Sequence, residues 1–122
     1  MSVEYEIKID GTEELKAKIE RLDSAMQAKV HDCIREQAEI IKTVAQSLSS
    51  AKTGKLRNSI YSQVEDWIAK VGASAPYAVY QEFGTRFIKP IRFLSRAMEM
   101  QAQSMINAIN QAIDEAITEA SA

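Results

Sequence analysis

The chain has 122 residues, 46% hydrophobic and 26% charged, the balance of one soluble globular domain able to bury about two-thirds of its unfolded surface. A net charge of −2 argues against a dedicated nucleic-acid binder, though not against a local basic patch, and the one cysteine, Cys33, excludes an internal disulfide and fits a reducing cytosol. No apolar run approaches the ~18 residues of a membrane span, and the charged start "MSVEYEIKID" lacks a signal-peptide core; the expectation is neither export by a standard signal nor a membrane partner.

Val3, Tyr5, Ile7 and Ile9 alternate with Glu4, Glu6 and Lys8, which predicts a half-buried strand. Asp10-Gly11-Thr12 turns the chain. Either Asp10, with Glu13 three residues on, or Thr12 caps the helix that follows. From Leu15 through Ile19, Leu22, Met26, Val30, Ile34, Ala38, Ile41 and Ala45 to Leu48, apolar steps of three and four hold one face. Unbroken, that helix is about 50 Å long at ~1.5 Å per residue, so it either bends near Asp23-Ser24 or projects from the core.

"SSAKTG", Ser49 to Gly54, is a small-residue loop expected to be mobile, and "KLRNSI" adds a short helical turn. Ile60, Ser62 and Val64 alternate, as do Trp67, Ala69 and Val71, with Glu65-Asp66 between them: a β-hairpin, with Trp67 in its core or serving as an interface anchor. Pro76 begins a short helix within "ASAPYAVYQEF", and "GTRFIKPIR" is irregular. From Phe93 to about Ala120 the pattern is helical again, through Leu94, Ala97, Met98, Ala102, Met105, Ile109, Ala112 and Ala116. Ile106, Ile113 and Ile117 widen that stripe, which points to burial of more than one face, against a neighbouring subunit.

The fold class expected is α+β, with a long N-terminal and a C-terminal helix packed on a small antiparallel sheet. One domain, residues 1–122, divides into strand and long helix (1–48), flexible loop (49–55), hairpin and corner (56–92) and C-terminal helix (93–120).

Catalytic constellations are missing. His31 and Cys33 stand two apart on one helix and do not face each other, so they form no base–nucleophile pair; they read as a partly exposed helix residue and a small core residue. Two ligands do not make a four-ligand zinc site. "AKTGKLRNS" fails as a phosphate-binding loop, because Ser49 stands where the first glycine is needed and Leu56 where Ser or Thr must follow the lysine. Glu82 lies among aromatics with no partner carboxylate and reads as a local cap or an intersubunit salt bridge. No catalytic, cofactor-binding or metal residue is assigned. Arg86, Lys89, Arg92 and Arg96, with Phe87 and Phe93 interleaved, are the only basic cluster, suited to a protein partner or to DNA.

Three stretches occur in a recognisable order: "TGKLRNSI" (Thr53, Gly54, Leu56 and Ser59 being the motif places), "YAVYQEFGT" (Tyr77, Ala78, Tyr80, Glu82, Phe83, Gly84 and Thr85) and "FLSRAM" from Phe93. Together they resemble the gene-product-ten-like head–tail joining family of long-tailed double-stranded DNA phages and prophages, the tail-completion or neck proteins. The third stretch departs from that family's pattern. Its proline is Pro90, two places early relative to Phe93, and Arg96 stands where a second proline is usual, so the basic residues are this chain's own.

The resemblance implies a non-enzymatic structural part of the virion neck or tail, made in the host bacterial cytoplasm and docking as a homo-oligomeric ring. Its partners would be the connector or stopper, the tail terminator or the tail tube, with non-specific contact to exiting DNA and no cofactor. Tail completion, stopper and terminator stay open. The alternative is a DNA-contacting accessory module using the basic loop 86–96; a hydrolase centred on Glu82 has no metal-ligand cluster behind it. On this reading Tyr77, Tyr80 and Phe83 pin a short helix to the core, Gly84 supplies a left-handed stop, and the loop from Thr85 to Arg92 is aimed outward as an interface.

Overall fold

The computed structural model describes residues 2–49 and 54–121. Alternation of apolar and charged residues produces three strands, β1 (Val3–Lys8), β2 (Ile60–Glu65) and β3 (Ile68–Ala73), paired antiparallel in the order β1-β3-β2. The register aligns Val3 with Ala73 and Ile60, Tyr5 with Val71 and Ser62, and Ile7 with Ala69 and Val64. Since side chains alternate across a strand, this register collects the apolar residues on one face and Glu4, Glu6, Lys8, Lys70, Gln63 and Glu65 on the other. A one-residue slip would carry the slipped strand's whole apolar set to the other face, so the pattern excludes it.

Thr12, not Asp10, caps α1 (Glu13–Glu20): its Oγ1 accepts from the Leu15 amide at 3.2 Å. The apolar stripe from Leu15 to Leu48 is not one helix. It breaks after Glu20, and α2 (Ser24–Leu48) starts afresh with Asp23 as its cap, the Asp23 carboxylate accepting from the Met26 amide at 2.9 Å. Asp23 holds an extended backbone (φ −82°, ψ 179°), so the break falls at the bend site expected from Asp23-Ser24. The physical reason is burial. Ile19 and Leu22 are both in the core, and turning the chain lets α1 fold back rather than project. Asp23→Ala is expected to lower unfolding free energy by about 1 kcal/mol, measured by urea denaturation, with α2 fraying at its first turn.

Helix α2 lies across the apolar face of the sheet, and α5 (Phe93–Ser121) packs antiparallel along it. Two contacts set that direction: Lys29 pairs with Glu119, and the Cys33 thiol donates to the Ala108 carbonyl at 3.6 Å; Lys18 ties α1 to the same helix through Asp114 at 3.4 Å. Burial pushes the Cys33 thiol above its ordinary range, with Glu36 and Glu115 adding to the effect, which suits a small core residue. Val30, Ile34 and Ile41 of α2, Val71 of β3, and Phe93, Leu94 and Ile113 of α5 are fully buried. Each such side chain contributes about 1.5–3 kcal/mol of transfer free energy, which is what fixes the layers.

The wide stripe on α5 is only partly used: Met105, Ile109, Ile113 and Ala116 are buried, while Ile106 and Met100 stay exposed. Two short helices complete the chain, α3 (Lys55–Ser59) before β2 and α4 (Ala78–Phe83) between β3 and α5. Pro76 lies in the turn ahead of α4, with Tyr77 as the cap residue.

Candidate docking corner

The corner is built around a carboxylate. Glu82, on α4, is 1% exposed and is the one buried charged residue among the described residues. Its Oε1 accepts from the Leu94 amide at 2.8 Å, both oxygens lie within 3.4 Å of the Ser95 amide, and Oε2 also accepts from the Ser95 hydroxyl. The Tyr5 hydroxyl of β1 donates to Oε2 at 3.0 Å. Leu94 and Ser95 are in the first turn of α5, whose leading amides have no partner inside the helix.

Arg92 begins that helix, its carbonyl accepting from the Arg96 amide at 2.8 Å, but an arginine side chain carries no acceptor. Glu82 therefore does from another helix what a capping Ser or Asp does locally, and its negative charge sits at the positive end of the α5 dipole. Glu82 is a cap, but not the local one expected from the sequence: the amide it caps lies 12 residues away. Partial burial, together with the Glu82 carboxylate beside it, pushes the Tyr5 hydroxyl up and keeps it a donor.

Gly84 closes α4, its amide donating to the Tyr80 carbonyl at 2.7 Å. Its φ of +76° is positive as expected, but ψ is 175°, so the conformation is not the left-handed helical one. It belongs to a region essentially closed to any side chain. A Cβ built there would lie 2.8 Å from Pro90 Cδ and 2.9 Å from the Ile88 carbonyl oxygen. The loop that follows is tied at both ends. Thr85 and Ile88 exchange backbone hydrogen bonds, the Thr85 hydroxyl accepts from the Phe87 and Ile88 amides, and the Gln81 carbonyl accepts from the Ile91 and Arg92 amides.

The corner's aromatics correct the sequence expectation. Tyr77 is half-buried against the core, but Tyr80 is 42% and Phe83 58% exposed, so they do not pin α4. Steps of three lag each turn by about 60°, and α4 is six residues long, so its inward face falls on Ala78 and Glu82, four apart. Phe83 instead leans on Tyr5, ring centroids 6.5 Å apart.

The sequence has a match among known protein families. A family model described as "Bacteriophage HK97-gp10, putative tail-component" matches residues 13–84, more than half of the chain. The chain belongs to the HK97-gp10-like family. No curated protein and no solved structure matches it. The matched span runs from the first residue of α1 to Gly84 and so includes the first of the three recognised stretches and all of the second but Thr85. Membership makes the protein a bacteriophage tail component, a structural part of the virion working among other virion proteins. Among the described residues no helix is long and apolar enough to cross a membrane, and no three His, Cys, Asp or Glu side chains cluster to hold a metal.

In this HK97-gp10-like chain the first stretch shapes the entry to β2. Thr53 lies outside the described residues, as does the heart of the loop expected to be mobile. Gly54 caps α3 at φ +72°, Leu56 is 2% exposed, and Ser59 binds the Leu56 carbonyl through its hydroxyl and the Ser74 amide through its own carbonyl.

The basic residues are all at the surface, but they are not alike. Arg92 pairs with Glu99 at 2.9 Å, and the Arg86 guanidinium lies 5.6 Å from the Phe87 ring centroid. Arg86, Lys89 and Arg96 form no ion pair among the described residues. Of the two interleaved phenylalanines, Phe87 is 88% exposed and Phe93 is fully buried; only the first is available to a partner. His31 stacks on Trp67 with centroids 4.3 Å apart, far in role from any nucleophile, and Trp67 packs half-buried against the core.

Proposed function

We propose that this tail component joins the DNA-filled head to the tail as a homo-oligomeric ring at the neck, its whole chain acting as one joining domain. The observation that supports this reading is the corner itself. A buried carboxylate and a glycine-only turn hold the loop 85–92 rigid while Tyr80, Phe83, Phe87 and Ile88 are left in solvent beside Arg86 and Lys89. Aromatics and arginines on a preorganised loop are the composition of an interface core, because their ordering cost is met before the partner arrives. Connector or stopper, terminator and tube are the neighbours it would meet, and both Glu82 oxygens are already engaged in holding α5.

The test is electron microscopy of particles from a phage lacking the gene. Separated DNA-filled heads and finished tails are expected. Heads that have lost their DNA would move the role to a stopper, and overlong tails to a terminator. Intact, infectious virions would overturn the reading. DNA contact through Arg86, Lys89, Arg92 and Arg96 would appear as salt-dependent binding lost when those residues are changed.

A further inference from the structure

Two surfaces of this molecule complement each other and lie on opposite flanks of the sheet. The corner belongs to the β1 edge, through Tyr5 and its contacts with Glu82 and Phe83. It presents an aromatic tip, Phe87, rimmed by Arg86 and Lys89. The other surface belongs to the β2 edge, where Glu39 of α2 accepts from the Ser62 hydroxyl at 2.9 Å. There the outer side of α2 carries a shallow, open groove of about 360 Å³, formed by that helix alone from Ile40, Val44 and Thr43 with Glu36 and Glu39 at its rim. Ile40 is 39% exposed; Glu39 pairs with Lys42 at 3.3 Å, while Glu36 forms no ion pair among the described residues, so the rim keeps a net negative charge.

We propose that the groove on α2 receives the Phe87 corner of a second copy of this chain, with Arg86 and Lys89 meeting Glu36, the unpaired acid of the rim. The apolar tip matches an apolar floor, and the basic rim matches an acidic one. The two surfaces differ in sign, so corner cannot meet corner, nor groove groove, without bringing like charges together. The contact is therefore head-to-tail, and a head-to-tail contact between opposite flanks propagates around a ring or along a filament. This inference rests on the ring reading above and names the two patches that make it.

The experiment uses the full chain in sedimentation velocity over a concentration series at low salt, where exposed charges are least screened. Arg86→Glu and Glu36→Lys are each expected to weaken self-association by about tenfold or more, as like charges then face each other across the contact. The two reversals combined in one chain restore it. Phe87→Ser weakens association without changing its salt dependence, and circular dichroism confirms that each variant is folded, since all three side chains lie outside the core. A wild-type chain that stays monomeric at about millimolar concentration, too weak to hold a ring without help, overturns the contact. So does association indifferent to the reversals, or reversals whose combination restores nothing. Those failures leave the joining role standing, because the deletion phenotype tests it separately.

Discussion

Glu82→Ala is expected to lower unfolding free energy by about 4 kcal/mol, the largest effect of any single change at the corner. The Leu94 amide is buried and would lose its only acceptor, and the Ser95 amide would lose both of its bonds. Bonds to a charged acceptor contribute about 1.5–3 kcal/mol each, and an orphaned buried donor costs the full desolvation of that group. The favourable placement of a negative charge at the start of α5 disappears as well. Glu82→Gln keeps the shape and one acceptor oxygen but turns an amide NH₂ toward donors, so about 2 kcal/mol is expected. Urea unfolding measures both, and hydrogen exchange should show the loss first in the amides of Leu94 and Ser95. A cost below about 1 kcal/mol for the alanine variant, or unchanged protection of those amides, would mean that Glu82 does not hold α5.

Gly84→Val should destabilise the chain by about 3 kcal/mol, and Gly84→Ala by nearly as much, because the offending atom is Cβ. That atom meets the Pro90 ring and the Ile88 backbone at under 3 Å, and neither is the yielding end of a flexible side chain. The φ of +76° adds strain of its own. Gly54 is the internal control. It also has a positive φ, but its nearest neighbour to a new Cβ is the Asn58 side-chain nitrogen, Nδ2, at 3.9 Å, so Gly54→Ala should cost only about 1 kcal/mol. If the joining role holds, Gly84→Val also abolishes head–tail joining in a complementation assay while His31→Ala leaves it intact. Equal stability of the two alanine variants would count against the clash, and full joining by Gly84→Val against the corner's role.

How much of this was legible beforehand follows from the range of the interactions concerned. The three strands, the hairpin turn and the face each strand buries are written in alternation, which needs only a residue's immediate neighbours. The helix starts at Thr12 and Asp23 are likewise local, although the choice of a clean break over a long helix turned on burial of Ile19 and Leu22. The positive φ of Gly84 was legible because glycine after a short aromatic helix has few other uses. The motif's aromatics misled. Spacing three apart suggested one face, and a helix too short to average over turns left Tyr80 and Phe83 in solvent.

The sequence by itself determined the elements, the α+β class and the membership in a tail-component family, since these rest on periodicity and on motif residues at short spacing. The tertiary structure alone decided what Glu82 does. Its partners lie on β1 and at the head of α5, and no local pattern tells a carboxylate which distant helix it will cap. The same holds for the two surface patches: the Phe87 corner and the groove on α2 are more than 40 positions apart, and only folding sets them on opposite edges of one sheet. Contacts of that range depend on the whole chain having closed, which is why they are read from the fold and not from the string.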